Sequence, residues 1–226
     1  MSLERGPIGL DRIGTIFERE ISNLQGAVRN RYVDHDILLA RAVLPAVETM
    51  QKNDQISAGI ALRIAGANAA VYPYTFRQVC SNGAIMAWTV GSWEIDLEEK
   101  GSEEAAEEAL VDAIHACAQP EVFEDVTRHL RHARHEHANL VLTLLPMLDR
   151  FPQPMMRRLL SRITERFHAD GDSSRYGLFN AVTAVARTTS DPETRWQLEM
   201  IGGHVARSGR ETADSLLSAR HTALRV

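Results

Sequence analysis

Lysine is almost missing from this chain: of its 25 basic residues, only Lys52 and Lys100 are lysine. The arginine bias has two readings, a composition set by the coding genome or a use for guanidinium forks, which suit phosphate and carboxylate recognition. Cysteine is nearly as scarce. Cys80 and Cys117 cannot build a disulfide framework, and free thiols in a reducing compartment are the expectation. No apolar run approaches the ~18–20 residues of a membrane helix, so no membrane partner is expected. The stretch Met1 to Asp11 carries Glu4, Arg5 and Asp11 and lacks the apolar centre of a secretory signal, which points to the cytoplasm. Phosphate-cradling glycine loops, Gly-x-Ser-x-Gly elbows, His-Glu-x-x-His and Cys-x-x-Cys pairs are also missing. These absences give no sign of catalysis, and no cofactor or metal is expected.

What is present is a full core and a divided charge. With 44% hydrophobic residues in 226, the chain can bury the interior of one large domain. The formal charge of −5 conceals a segregation. Residues 94–120 hold nine acids against Lys100, whereas residues 1–93 and 121–226 are each slightly basic. The acidity is one local block, so the total says little about a partner.

Periodicity predicts an α+β protein. Ile13, Ile16, Phe17, Ile21, Leu24 and Val28 fall at helical spacing over Leu10 to Asn30. A second helix is expected from Ile37 to Gln51, capped by Asp36 and kinked at Pro45. The pattern then alternates. Ile56, Ala58, Ile60, Leu62 and Ile64 predict a half-buried strand, and Gly66-Ala67-Asn68 a turn. Val71 to Cys80 predicts the partner strand, with Pro73 marking an edge or a bulge. Asn82-Gly83 is the strongest hairpin signal, since both residues tolerate the positive φ of a type I′ turn. Trp93, Ile95 and Leu97 add a strand, giving a small antiparallel meander over about residues 56–98. A helix capped by Ser102, with Ala106, Leu110, Ile114 and Cys117 as its apolar face, is expected to end at Pro120, and further helices near 121–145, 153–168, 174–188, 192–207 and 210–222, with Asp191-Pro192 as a start. The organisation is one domain over 1–226: a helical segment 1–52, the meander, and a helical region 102–222.

Several clusters are candidates for chemistry. His129, His132, His135 and His137 recur at two- to three-residue steps, but Arg128, Arg131 and Arg134 are interleaved, and a cationic setting disfavours a divalent ion. A solvated basic face is the expectation. Asp34-His35-Asp36 and Asp170-Gly171-Asp172-Ser173 read as local turns and caps, the latter lacking the later glutamate of a calcium loop. On the helix from Gln153, Arg158, Arg162 and Arg166 line up at four-residue spacing. The row has two open readings: it tracks a phosphate backbone, or it pairs with the acidic helix Glu103 to Asp112, within the chain or on a neighbouring subunit. Tyr72, Tyr74 and Phe76 could stack nucleobases if the sheet face is bare; core packing is the other account. Cys80 reads as a small buried hydrophobe.

Two short segments resemble a known family. Phe76-Arg77-Gln78-Val79-Cys80-Ser81-Asn82-Gly83-Ala84-Ile85 is similar to the Arg-x-Val-Cys-x-Asn-Gly signature of the phage- and plasmid-associated family known as domain of unknown function 932. Tyr176-Gly177-Leu178-Phe179-Asn180-Ala181-Val182-Thr183 resembles that family's second motif. Ahead of the hairpin, Gly66-Ala67-Asn68-Ala69-Ala70 departs from the family's Asn-Ser-x-Asp-Gly pattern. The resemblance implies a mobile-element context and no established activity. Within it, Cys80, Asn82, Gly83 and Asn180 are read as structural, with the Asn180 amide expected to pin the helices to the hairpin backbone. The functional expectation is a non-enzymatic nucleic-acid-binding accessory protein, contacting DNA or RNA through Arg77, Tyr74, Arg131, Arg158, Arg162 and Arg166. The alternative is a homo-oligomeric structural or partner-binding protein.

Overall fold

The computed structural model describes residues 7–52, 54–78, 81–87 and 93–207. Within these the chain runs α1 (Leu10–Asn23), β1 (Ala27–Asp34), β2 (Ile37–Gln51), β3 (Asp54–Ala65), β4 (Asn68–Arg77), β5 (Asn82–Ile85) and β6 (Trp93–Asp96). Seven helices are described in all, the remaining six being α2 (Glu103–Cys117), α3 (Pro120–Ala133), α4 (Leu140–Leu148), α5 (Gln153–Asp170), α6 (Arg175–Arg187) and α7 (Pro192–Ala206). The fold is α+β, a curled antiparallel meander with helices on both faces. Strands follow the order β1-β2-β3-β4-β5, and β6 pairs with β4 beside β5.

The region expected as a second helix is the long strand β2, and this is the main correction to the sequence reading. Leu38, Ala40, Ala42 and Leu44 join the core beneath α1 and α2. Leu39, with Arg41 and Val43, faces the opposite side, under α7. Both faces are buried from Leu38 to Leu44, so apart from Arg41 this run is apolar and carries no alternation to mark it as a strand. Pro45 lies in a register shift between Val43 and Val47, where no ladder bond is asked of it. The first helix is also shorter than expected. It ends at Asn23, Gln25 takes a positive φ of 58°, and Val28 belongs to β1. The meander therefore starts near residue 27, and Asp36 sits in the β1–β2 turn rather than capping a helix.

Pro73 occupies a central strand, yet its position is consistent with its chemistry. Its carbonyl accepts from the Met86 amide at 2.8 Å. On that side β4 is paired to β5 through Tyr74–Arg77 and to β6 through Asn68–Val71, so Pro73 falls at the gap between the two partners. The missing N–H costs the sheet nothing there. Asn82 and Gly83 are strand residues. Arg77 pairs with Asn82, and Ser81, just before that pair, takes a positive φ of 49°. Gly83 is needed for space: a Cβ there would sit 2.0 Å from the Tyr74 hydroxyl.

The curl shows in one contact. Arg29 of β1 lies 5.9 Å from the Phe76 ring centre, although β1 and β4 are three strand spacings apart, about 14 Å in a flat sheet. The concave face is thereby closed around α7, whose Trp196 is buried among Leu39, Ala61, Tyr72, Tyr74 and Ile85. The β5 edge is also covered by α7, where Gly203 would bring a Cβ to 2.0 Å from the Ile85 carbonyl oxygen. The β1 edge is mostly exposed and carries an irregularity between Val28 and Asn30. Most of the helical region (α3–α7) shares one further core with Met50, Ile56, Ala84 and Met86. The expected helix over 121–145 is two, α3 and α4, and the expected helix over 210–222 lies outside the described residues.

Candidate functional site

The two motifs that carry the family resemblance meet in space. Asp54, only 2% exposed, accepts from Arg77 at 2.6 Å (Nε) and 3.0 Å (Nη2) and from the Tyr176 hydroxyl at 2.8 Å. The Arg77 guanidinium lies 6.0 Å from the Tyr176 ring centre. A few residues on, the Asn82 amide donates to the Thr183 hydroxyl at 2.6 Å, and that hydroxyl donates back to the Phe179 and Asn180 carbonyls. The pin between hairpin and helix is thus Asn82–Thr183. Asn180, predicted for that role, contributes its backbone carbonyl, while its side-chain Oδ1 has no hydrogen-bond partner among the described residues. Thr183 stands one turn beyond Asn180, and on a helix that offset decides which side chain reaches the strand. Cys80 lies outside the described residues.

This junction removes two residues from the expected nucleic-acid surface. Arg77 is spent on a buried carboxylate, and Tyr74 is 3% exposed beneath α7. Burial, with the Glu199 charge nearby, pushes the Tyr74 phenol well above its usual value, so it stays neutral. Tyr72 meets Trp196 edge-on, centroids 6.2 Å apart. No bare aromatic platform remains on this face, because α7 covers it.

A second buried polar group joins α7 to the sheet. Arg41 (2% exposed) donates through Nε to Glu199 (1%) at 2.5 Å and through Nη1 to Asn30 at 3.1 Å, and it packs 5.0 Å from the Trp196 ring centre. Arg195 donates to the other Glu199 oxygen at 2.9 Å. These residues escaped the sequence reading, although a charge set inside an apolar stretch is itself a signal, since buried charges are paired.

The arginine row lies on the far side of the helical layer. An open groove of about 580 Å³ runs between α5 and α6, and Arg162, Arg166 and Arg187 line it with Glu165 as the one acid. Arg162 donates to the Thr188 hydroxyl at 2.7 Å, and Arg166 is held by Asp170 at 2.9 Å. Arg158, one turn before Arg162, is exposed and makes no ion pair with a described residue. Arg187 was not singled out in the sequence; its place is set by α6 returning antiparallel along α5. Arg131 is elsewhere, on α3, where it pairs with Glu48 of β2.

The acidic helix is not matched to this row within the chain. Ser102 caps α2 as expected, but Glu107 takes Arg12 at 2.6 Å and Arg19 at 2.9 Å, both from α1. Glu20, nearly buried on α1, accepts from His115 at 2.9 Å. Burial opposes its ionisation, but the hydrogen bonds from His115, Arg19 and Asn23 outweigh it and hold the carboxyl below its usual range. The histidine cluster is dispersed: His129 contacts the Asp125 carbonyl, and His132, His135 and His137 are exposed. Among the described residues no group of three potential ligands could hold a metal, and no helix is long and apolar enough to cross a membrane. Cys117 is buried, which raises its thiol pKa and keeps it unreactive.

The chain matches no protein-family model, no curated protein and no solved structure. Function is therefore argued from the geometry.

Proposed function

We propose that this chain is a non-enzymatic nucleic-acid-binding accessory protein that holds a phosphate backbone along α5 and the α5–α6 groove. The observation that carries the reading is the groove itself, about 580 Å³, where Arg162 and Arg166 of α5 and Arg187 of α6 stand against Glu165, with Asp170 paired to Arg166. Arg158, Arg162 and Arg166 repeat every four residues, a rise of about 6 Å per step on one helix face. Their hydrogen bonds to Thr188 and Asp170 hold two of the guanidinium groups in position before a ligand arrives. The phage- and plasmid-associated setting implied by the two motifs agrees with this. Contacts are to phosphate, not to stacked bases, because Tyr74 and Tyr72 lie inside.

The test is fluorescence anisotropy with labelled single-stranded oligonucleotides at rising salt. Four phosphate contacts give a slope of log K against log salt near −3, and Arg162→Ala/Arg166→Ala reduces its magnitude by about 1.4. Absence of binding at low salt, or binding indifferent to salt, overturns the reading. One observation favours a second reading, self-association. Glu104, Glu108 and Asp112 are exposed on α2 with no ion pair to a described residue, so a neighbouring subunit's arginine row could meet them. A molar mass that falls as salt rises supports that, and a salt-insensitive monomer removes it.

A further inference from the structure

α4 is the helix whose chemistry fits its surroundings least. Its sequence LVLTLLPML carries no charge, and only Leu144, Met147 and Leu148 are buried. Val141, Leu142 and Leu145 turn outward with exposures of 51%, 73% and 38%. Leu145 neighbours Val141 at i, i+4 and Leu142 at i, i+3, so the three make one patch on the helix surface. Isolated exposed aliphatics are ordinary, but three in contact make a patch, and such patches mark a contact site. Nothing among the described residues covers them.

The end of α7 is tied, through Arg175, to the segment just ahead of this helix. The Val205 carbonyl accepts two hydrogen bonds from Arg175, at 3.1 Å and 2.5 Å. The third nitrogen of the same guanidinium donates to Glu136 at 3.0 Å, just ahead of α4. The chain thus leaves α7 near Glu136, a few residues before α4, and continues through residues 208–226. There Ala213, Leu216, Leu217 and Leu224 recur at i, i+3, i+4 and i+11, the apolar spacing of an amphipathic helix. From Arg207 to Leu216 the backbone can span up to about 30 Å, roughly twice the ~14 Å length of α4. Three aliphatic side chains per copy are too few for self-association, since stable interfaces take ~800 Å² from each partner. They suit a short segment already tethered nearby, for which the effective concentration is high.

We infer that the C-terminal segment 208–226 docks on the outer face of α4, with Leu216 and Leu217 covering Val141, Leu142 and Leu145. The inference is independent of the nucleic-acid reading. It is tested in the full chain by a double-mutant cycle of Leu142→Ser with Leu216→Ser/Leu217→Ser, read as the thermal midpoint. Each change alone lowers the midpoint by several degrees, and the combination lowers it no further than the larger single effect. A paired variant, Leu142→Cys with Leu217→Cys in a background lacking Cys80 and Cys117, forms an intramolecular disulfide under mild oxidation. A Leu142→Ser midpoint equal to that of the parent overturns the inference, because a bare face tolerates serine. Strictly additive effects place the segment elsewhere and overturn it too. A disulfide found only between chains assigns the face to a second copy and likewise overturns it.

Discussion

Replacing Glu199 with glutamine keeps the shape of the buried pair under α7 and removes its charge. Arg41, 2% exposed, would then keep its cation with one neutral acceptor in place of a carboxylate, and Arg195 would lose the same counter-charge. Breaking a buried pair from one side costs about 3–5 kcal/mol, since the remaining charge stays desolvated without compensation. For a chain of this size each kcal/mol moves the thermal midpoint by about 2–4 °C, so a fall of roughly 6–20 °C is expected. Calorimetry or denaturant unfolding of Glu199→Gln reads this directly. The companion variant Arg41→Met/Glu199→Leu removes both charges and restores most of the loss, because well-packed apolar side chains replace buried ion pairs at little cost. A Glu199→Gln change under about 1 kcal/mol would refute the reasoning, placing the pair in effective contact with water.

Other outcomes follow from single contacts. Thr183→Val leaves the buried Asn82 amide without its acceptor and should cost about 1–3 kcal/mol in urea unfolding. Gly203→Ala drives a methyl to 2.0 Å from the Ile85 backbone and should cost about 1–3 kcal/mol, whereas Gly9→Ala, with nothing within 4 Å, should be close to neutral. Burial, helped by the charges of Arg150 and Arg207, pushes the His204 imidazole down to about 4, against about 6.5 in the unfolded chain. A depressed base favours the folded state fully above pH 6.5, and this share is lost as pH falls toward 4, by up to about 3 kcal/mol. His204→Gln should flatten that limb of the midpoint-against-pH curve, and an unchanged curve would show that the imidazole titrates freely.

What could be read from the sequence depended on whether a signal was local. Ser102 and Asp191-Pro192 marked helix starts, and both side chains accept the expected backbone bond, from Ala105 and Thr194. The alternation through Ile56–Ile64 marked β3 because one face of it meets α1 and α2 and the other carries smaller or polar residues. β2 defeated the same test, since a strand covered on both faces has no polar phase. Asn82-Gly83 misled for a different reason. The pair has turn chemistry, yet Asn82 is used for its amide and Gly83 for the room it leaves Tyr74. The arginine row on α5 was legible as a row, but the groove was not, because Arg187 and Thr188 come to it only when α6 folds back. Arg77 and Tyr74 left the candidate surface for the same kind of reason: Asp54, which takes Arg77, and Trp196, which packs over Tyr74, are brought to them only by the fold.

The layout of the sheet limits how this protein can meet another chain. Strand addition needs an edge with free amides and carbonyls in a straight row. At β5 that row is blocked by the Gly202–Gly203 stretch of α7, which presses on its backbone. At β1 the irregularity beside Arg29 breaks the spacing, and Arg29 and Arg31 put charge on the rim. The meander is therefore a poor template for growth, which protects a β-rich half from fibrillar stacking. A partner chain would instead have to meet the helices, whose outer faces can be engaged without opening a single ladder.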